Sequence, residues 1–166
     1  MVRVIGVDEF GGPEKLKAFD IPAQPVGSGQ VRVDVAAAAV SPTDTIHRSG
    51  SRAELLQQDP PPYVPGMDIA GVISEVGEGV DHLAIGDAVM GIVAPTASHG
   101  GYSSSIVLPA RSVARAPQGS SAVEACTLPM NGLTAQYALD LLDLPQGATL
   151  AVTGAAGAFG GYMVQL

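Results

Sequence analysis

The apolar positions change period along the chain, and that change divides it. Val2, Val4, Ile5 and Val7 mark a short strand, closed by a Gly11-Gly12-Pro13 turn. From Gln30 to Val35 polar and apolar residues alternate with the two-residue period of a strand buried on one face. The run continues into Ala36–Val40, apolar throughout and so expected to be buried on both faces. Ser41-Pro42-Thr43-Asp44 breaks the strand and caps a short helical turn through Thr45, Ile46 and His47. The proline-rich run from Asp59 to Gly66 predicts an irregular loop, because proline donates nothing to a ladder. Further strands are predicted over Ile69–Val76, Ala88–Val93 and Tyr102–Leu108, with Gly77-Glu78-Gly79, Gly86-Asp87 and Gly100-Gly101 as punctuation. Many short strands so divided predict a compact β barrel or sandwich over roughly the first 115 residues.

Beyond that point the pattern turns helical. Ser120 or Ser121 can cap a helix reaching Leu128, and Asn131 a second running to about Leu142. Leu133, Tyr137, Leu141 and Leu144 fall near one face of it. Pro145-Gln146-Gly147 precedes a short apolar strand, Ala148–Thr153, then the turn Gly154-Ala155-Ala156-Gly157-Ala158-Phe159-Gly160-Gly161, and a helix from Tyr162. Strand, glycine-rich turn and helix form the opening of a βαβ unit, which needs about thirty residues to complete. The predicted fold is a mainly β barrel (1–118) followed by the first elements of an α/β domain (119–166), with the chain expected to be truncated within the latter. Such a segment leaves apolar surface exposed and invites domain swapping or other association.

Composition narrows the function. Hydrophobic residues are 46% of the chain and aromatics 4%, so the core is built from Ala, Val, Leu and Ile. Eight basic against sixteen acidic residues give a net charge of −8, which argues against nucleic acid or an anionic membrane as partner. Cys126, the single cysteine, forms no internal disulfide and reads as a buried small residue on a helix. No leader-like apolar run follows Met1 and no stretch has the length of a membrane span, so a soluble cytoplasmic protein is expected.

The glycine-rich turn carries the first candidate chemistry. Gly157 and Gly160 let backbone approach a pyrophosphate, with helix-terminal amides facing the negative charge, and Gly161 eases packing of helix on strand. The plainer reading is a sharp structural turn. His47, His82 and His99 lie far apart without a cysteine or carboxylate at metal spacing and read as surface or loop histidines. His47 weighs slightly more, since it follows the Ser41–Asp44 segment.

Four segments in order resemble one family. Ala38-Ala39-Val40-Ser41-Pro42-Thr43-Asp44 with Ile46–Gly50 resembles the Asn-Pro-x-Asp signature of quinone oxidoreductases. Pro65–Val80 with Gly86–Val89, Leu128–Ala135, and Val152–Gly160 are similar to medium-chain dehydrogenase/reductase segments, and the resemblance covers essentially the whole chain. The resemblance implies a GroES-like barrel, a Rossmann domain and a nicotinamide, NADPH by subfamily, in the cleft between them. Zinc-dependent relatives carry Cys where this chain has Ser41 and His where it has Met67, and none of the structural-zinc cysteines lies between Gly91 and Arg115. No zinc is therefore expected.

Reduction without a metal leans on placing hydride and on hydrogen-bond donors for the developing oxyanion. Ser41 and Thr43 are the candidate donors, with Asp44 or His47 orienting them; a helix cap is an equal reading of Asp44. Ser41 departs from the Asn usual in quinone oxidoreductases. Asn131 and Thr134 resemble residues near the nicotinamide, although Asn131 also suits a cap; Gly154, Ala155, Ala156, Gly157, Ala158, Phe159 and Gly160 are the cofactor-binding turn. Tyr63 either reaches the cleft or packs beside it, and Asp68 is expected in a structural hydrogen bond. The favoured activity is NADPH-dependent reduction of a quinone or activated enone by a protein that is a homodimer when complete. The alternatives are enoyl-thioester reduction and, for these 166 residues alone, a non-catalytic GroES-like binding module. The residue choosing NAD or NADP is expected beyond Leu166.

Overall fold

The computed structural model describes every residue except Arg52 and 57–59, so Asp59 of the expected loop lies outside the described residues. The elements run β1 (Val2–Gly6), β2 (Lys17–Ile21), β3 (Gln30–Ala38), α1 (Pro42–Ser49), α2 (Ala53–Leu56), β4 (Asp68–Val76), β5 (Ala88–Ile92), β6 (Ser105–Pro109), β7 (Val113–Arg115), α3 (Ala122–Ala125), α4 (Pro129–Leu142) and α5 (Ala158–Gln165). β1 and β2 pair antiparallel as a two-stranded sheet. The other five strands form an antiparallel sheet in the order β6-β3-β4-β5-β7. This is the predominantly β architecture that the pattern predicts, built as two sheets, and it agrees with the GroES-like domain that the resemblance implies.

The alternation in β3 sends Val31 and Val33 into the core, where they meet Ile69 and Ile73 of β4, Val89 of β5, and Ile106 and Leu108 of β6. Each fully buried Val, Leu or Ile contributes roughly 1.5–3 kcal/mol. Gly71 in β4 lets the strands close: a Cβ there would strike the Asp34 carbonyl and stand 3.0 Å from Val35 Cα.

A second, smaller cluster joins α3 to the other face of the sheet. Ala125 and Cys126 pack on Ala70, with Ala37, Ala39 and Met90 around them. Small side chains let helix and strands approach closely. Cys126 is buried, its thiol donating to the Val123 carbonyl at 3.3 Å. Ser121 caps α3, its hydroxyl accepting from Glu124 N at 3.3 Å and Glu124 returning a bond to Ser121 N at 2.8 Å.

Several expectations need correction. Ala36–Val40 is not buried on both faces: Ala36 and Val40 are exposed, because α3 covers only one side of this stretch. The predicted Tyr102 strand begins at Ser105; Tyr102 and Ser103 turn instead to β1, through Ile5 N to Tyr102 O at 2.8 Å and a Val4–Ser103 bridge. β2, β7 and α2, too short or too weakly alternating to read, were absent from the expected elements. Asn131 is not a cap. It stands in the first turn of α4, which starts at Pro129 directly after α3. Residues 148–153 form no strand, and among the described residues no neighbouring strand supplies their hydrogen bonds.

Candidate functional site

The helix α1 gathers the four candidate catalytic residues. Ser41 takes extended backbone angles at its N-cap, and Pro42 fits the first helical position because its missing N–H has no partner to lose there. Gly50 ends the helix in the left-handed region at φ 83°, and a Cβ there would meet the Phe10 ring carbons at 2.7 Å.

Asp44 is the most heavily bonded side chain of the group. It is buried, and its Oδ2 accepts from Ser41 N at 2.8 Å, the carboxylate half of a capping box whose hydroxyl half makes no hydrogen bond. Its Oδ1 accepts from Gly66 N at 2.8 Å, and the Tyr102 hydroxyl donates to Oδ2 at 3.3 Å. Gly66, at φ 106°, fits so closely that a Cβ would stand 2.6 Å from Tyr102 N. One carboxylate thus locks α1, the loop before β4 and the segment before β6 together. The cap reading of Asp44 describes its contacts.

The remaining α1 residues are less satisfied. The hydroxyl oxygen of Ser41 and Nε2 of His47 are both buried without a hydrogen-bond partner. His47 is buried rather than a surface or loop histidine, because α1 turns it inward. Burial holds its ring below the ordinary histidine range, against the opposing pull of Asp44, so the imidazole is neutral at pH 7. Thr43 is half-buried in the same turn. His99 is half-buried in a Thr96–His99 turn, and His82 is exposed beside Asp81, so the three histidines do not converge.

Asp68 links this region to α4. It is 3% exposed and accepts from Met130 N at 2.6 Å, in the first turn of α4, where the helix presents its unpaired amides. Burial pushes its carboxyl up, the Met130 bond pulls it down, and Asp44 adds to the rise. Asp68 therefore has the structural hydrogen bond expected of it. Met67 is half-buried beside it. Asn131 follows Met130 directly, whereas Thr134 is exposed and spends its hydroxyl on the Met130 carbonyl at 2.6 Å. Tyr63 is buried, stacks on Phe10 with ring centroids 4.7 Å apart, and bridges Val7.

The glycine turn stands apart. Gly154 takes φ 72°, Gly157 N bonds back to Gly154 O at 2.9 Å, and Gly157 is the N-cap of α5. A Cβ on Gly160 would strike the Gly154 carbonyl, so helix and turn meet only because this residue is Gly. Ala155 and Ala156 of the turn are exposed, as are Ala158 and Phe159, which open α5 four residues before the expected start at Tyr162. Among the described residues no hydrogen bond joins it to the barrel. A pyrophosphate fits this open turn at a helix N-terminus, although the strand expected before it is absent.

Sequence reasoning missed Tyr102 and the amide of Gly66 as members of the site. Gly66 was visible only as a turn residue after Pro65, and Tyr102 as the start of a strand. Nothing in the sequence alone places Tyr102 against Asp44, 58 residues away.

Comparison with known proteins adds three findings. Residues 27–118 match the family described as the alcohol dehydrogenase GroES-like domain. A Streptomyces venezuelae pikromycin polyketide synthase component, PikAII, is 39% identical over 86% of the chain, and a Burkholderia 2-haloacrylate reductase is 32% identical over 99%. The chain spans 4% of the first and 49% of the second. Among solved structures, an Escherichia coli quinone oxidoreductase complexed with NADPH is 32% identical, with a TM-score of 0.68 over 84% of this chain and 40% of that one.

Proposed function

Since this chain belongs to the alcohol dehydrogenase GroES-like domain family, and resembles its quinone oxidoreductase-like medium-chain members, we propose that it forms the substrate-binding part of a zinc-independent NADPH-dependent reductase acting on a quinone or activated enone. In this reading residues 1–118 are the GroES-like domain and 119–166 the start of the cofactor domain. The observation that carries it is the buried, unpartnered hydroxyl of Ser41 beside an Asp44 already engaged in three hydrogen bonds. Ser41 is the donor for the developing oxyanion, Thr43 supports it, and Asp44 is the positioning residue that aims their turn. His47, neutral and inward, backs the same helix. Ser41 and Met67 stand where zinc relatives carry ligands and offer none.

The Gly154–Gly160 turn would hold the pyrophosphate, with Ala155, Ala156, Gly157, Ala158 and Phe159 contributing its backbone, and Asn131 and Thr134 would lie towards the nicotinamide. When bound, the dinucleotide supplies hydride, and a proton from solvent completes the reduced product. The 39% identity to a polyketide synthase component, together with the likeness to the solved CurK enoyl reductase (28% identical, TM-score 0.85), supports a second reading, reduction of an enoyl thioester.

The test is NADPH oxidation by the polypeptide that the full reading frame encodes, with a quinone and with an enoyl thioester. Turnover on the quinone, falling roughly 10²-fold in kcat for Ser41→Ala, is expected. Turnover on the thioester alone selects the second reading, and an undiminished Ser41→Ala enzyme removes Ser41 from the mechanism. The 166 residues by themselves are expected to show no turnover, since among the described residues no parallel sheet supports the glycine turn.

A further inference from the structure

A cavity of about 250 Å³ lies in the barrel away from α1. Three separate pieces of chain line it, leaving one side open to solvent: the β1–β2 pair, the β3–β6 pair, and the segment from Ser98 to Ser103. Its apolar lining includes Val2, Ile21 and Ile106, and its polar lining includes Gln24, Arg32, Ser98, His99, Ser103 and Ser105. None of Ser41, Thr43, Asp44, His47 or Tyr102 lines it.

The polar groups define what can enter. The Arg32 charge is paired with Glu75, Nε donating to its carboxylate at 3.0 Å while Nη2 donates to the Gln24 carbonyl at 2.7 Å, so an anion would have to compete with Glu75 for it. Burial holds His99 below the ordinary histidine range, so its ring enters the lining uncharged at neutral pH. No carboxylate lines the cavity. An anion would find no free cation, and an amine no anion. Ser105 differs from its neighbours. Ser103 uses its hydroxyl on the Ser105 backbone, donating to the carbonyl at 2.6 Å and accepting from the amide, but the Ser105 hydroxyl is buried without any partner. A buried donor left unpaired is unfavourable until an acceptor reaches it.

We propose that this cavity is a second small-molecule site, taking an uncharged ligand with one carbonyl or hydroxyl oxygen on a compact apolar body, bonded through Ser105. It is independent of the proposed reductase activity, because it shares no residue with the Ser41 cluster.

The test is a 15N–1H NMR titration of this chain with cyclohexanone and cyclohexanol, against cyclohexanecarboxylate and cyclohexylammonium. Saturable shifts at the amides of Ser98, His99, Gly100, Ser103, Ser105 and Ile106 are expected with the neutral pair, and binding at least tenfold weaker with the charged pair. Ser105→Ala keeps the backbone bonds to Ser103 and should weaken the neutral probes at least threefold. His99→Ala, which leaves its backbone bonds to Thr96 in place, gives a second reading through another polar residue of the lining. Equal affinity for charged probes, shifts confined to the exposed α4 face, or unchanged binding in both variants would overturn the proposal.

Discussion

Two equally apolar parts of this molecule have opposite fates. In the barrel Val31, Val33 and Ile69 are fully buried, whereas on α4 Leu133, Tyr137 and Leu141 are 56%, 64% and 68% exposed. The difference lies in what each element needs from its surroundings. A strand takes its backbone hydrogen bonds from a neighbour, and the five-stranded sheet supplies them to every member. A helix closes its own, so α4 and α5 form with their apolar sides uncovered, while residues 148–153 stay irregular. Apolar periodicity specifies an element; burial requires a partner.

Asp44 offers the strongest way to sharpen that comparison. Asp44→Ala removes three hydrogen bonds to a carboxylate and strands the Gly66 amide in the interior. Hydrogen bonds to charged groups are worth about 1.5–3 kcal/mol each, without full additivity, so a loss of roughly 3 kcal/mol in urea unfolding is expected. Hydrogen exchange should rise across α1 and the start of β4 and stay unchanged in α5. A uniform rise through both parts would mean that barrel and C-terminal segment unfold as one unit.

Asp68 tests a part-buried polar link between the two parts, its bond from Met130 N. Its carboxyl is pushed up mainly by burial, with Asp44 adding to the rise. The folded state therefore holds the proton more tightly than the unfolded chain, and stability falls as pH climbs from about 4 through the raised value. Asp68→Asn keeps an acceptor for Met130 N and removes the charge. The variant should gain on the wild type over that pH range, and the gap should level off above it. His47 contributes the opposite slope below its ordinary range, but equally in both proteins, so it cancels in the difference. A gap independent of pH, measured by urea midpoints, would contradict this assignment.

Much of the barrel was legible because its signals are local. The alternation of Gln30–Val35, the glycines after Val76 and before Ala88, and the Ser41-Pro42 helix start each act within a few residues. The site was legible only in part. Ser41 and Asp44 could be singled out, but the bond from Tyr102 and the amide of Gly66 arise from the closure of the fold, over 58 and 22 residues. Ala148–Thr153 misled for the same reason: its β-favouring pattern is local, and the partner it needs is not. Asn131 misled differently. It has the chemistry of a cap, but the helix starts at Pro129, whose fixed φ suits the first turn.

The smallest effect is expected on the exposed face of α4. Leu141 is already largely in water, so Leu141→Lys should change folding stability by no more than about 0.5 kcal/mol. Its consequence should appear between molecules instead. Leu133, Tyr137 and Leu141 form an apolar stripe on one side of the helix, and such patches drive association. Sedimentation of the chain across protein concentration should show self-association that Leu133→Lys with Leu141→Lys reduces. A stability loss above 1 kcal/mol would show that this face packs against something within the chain, and undiminished association would place the contact elsewhere. Either result would undo the contrast between a barrel that satisfies its own apolar residues and a helix that leaves them for a partner.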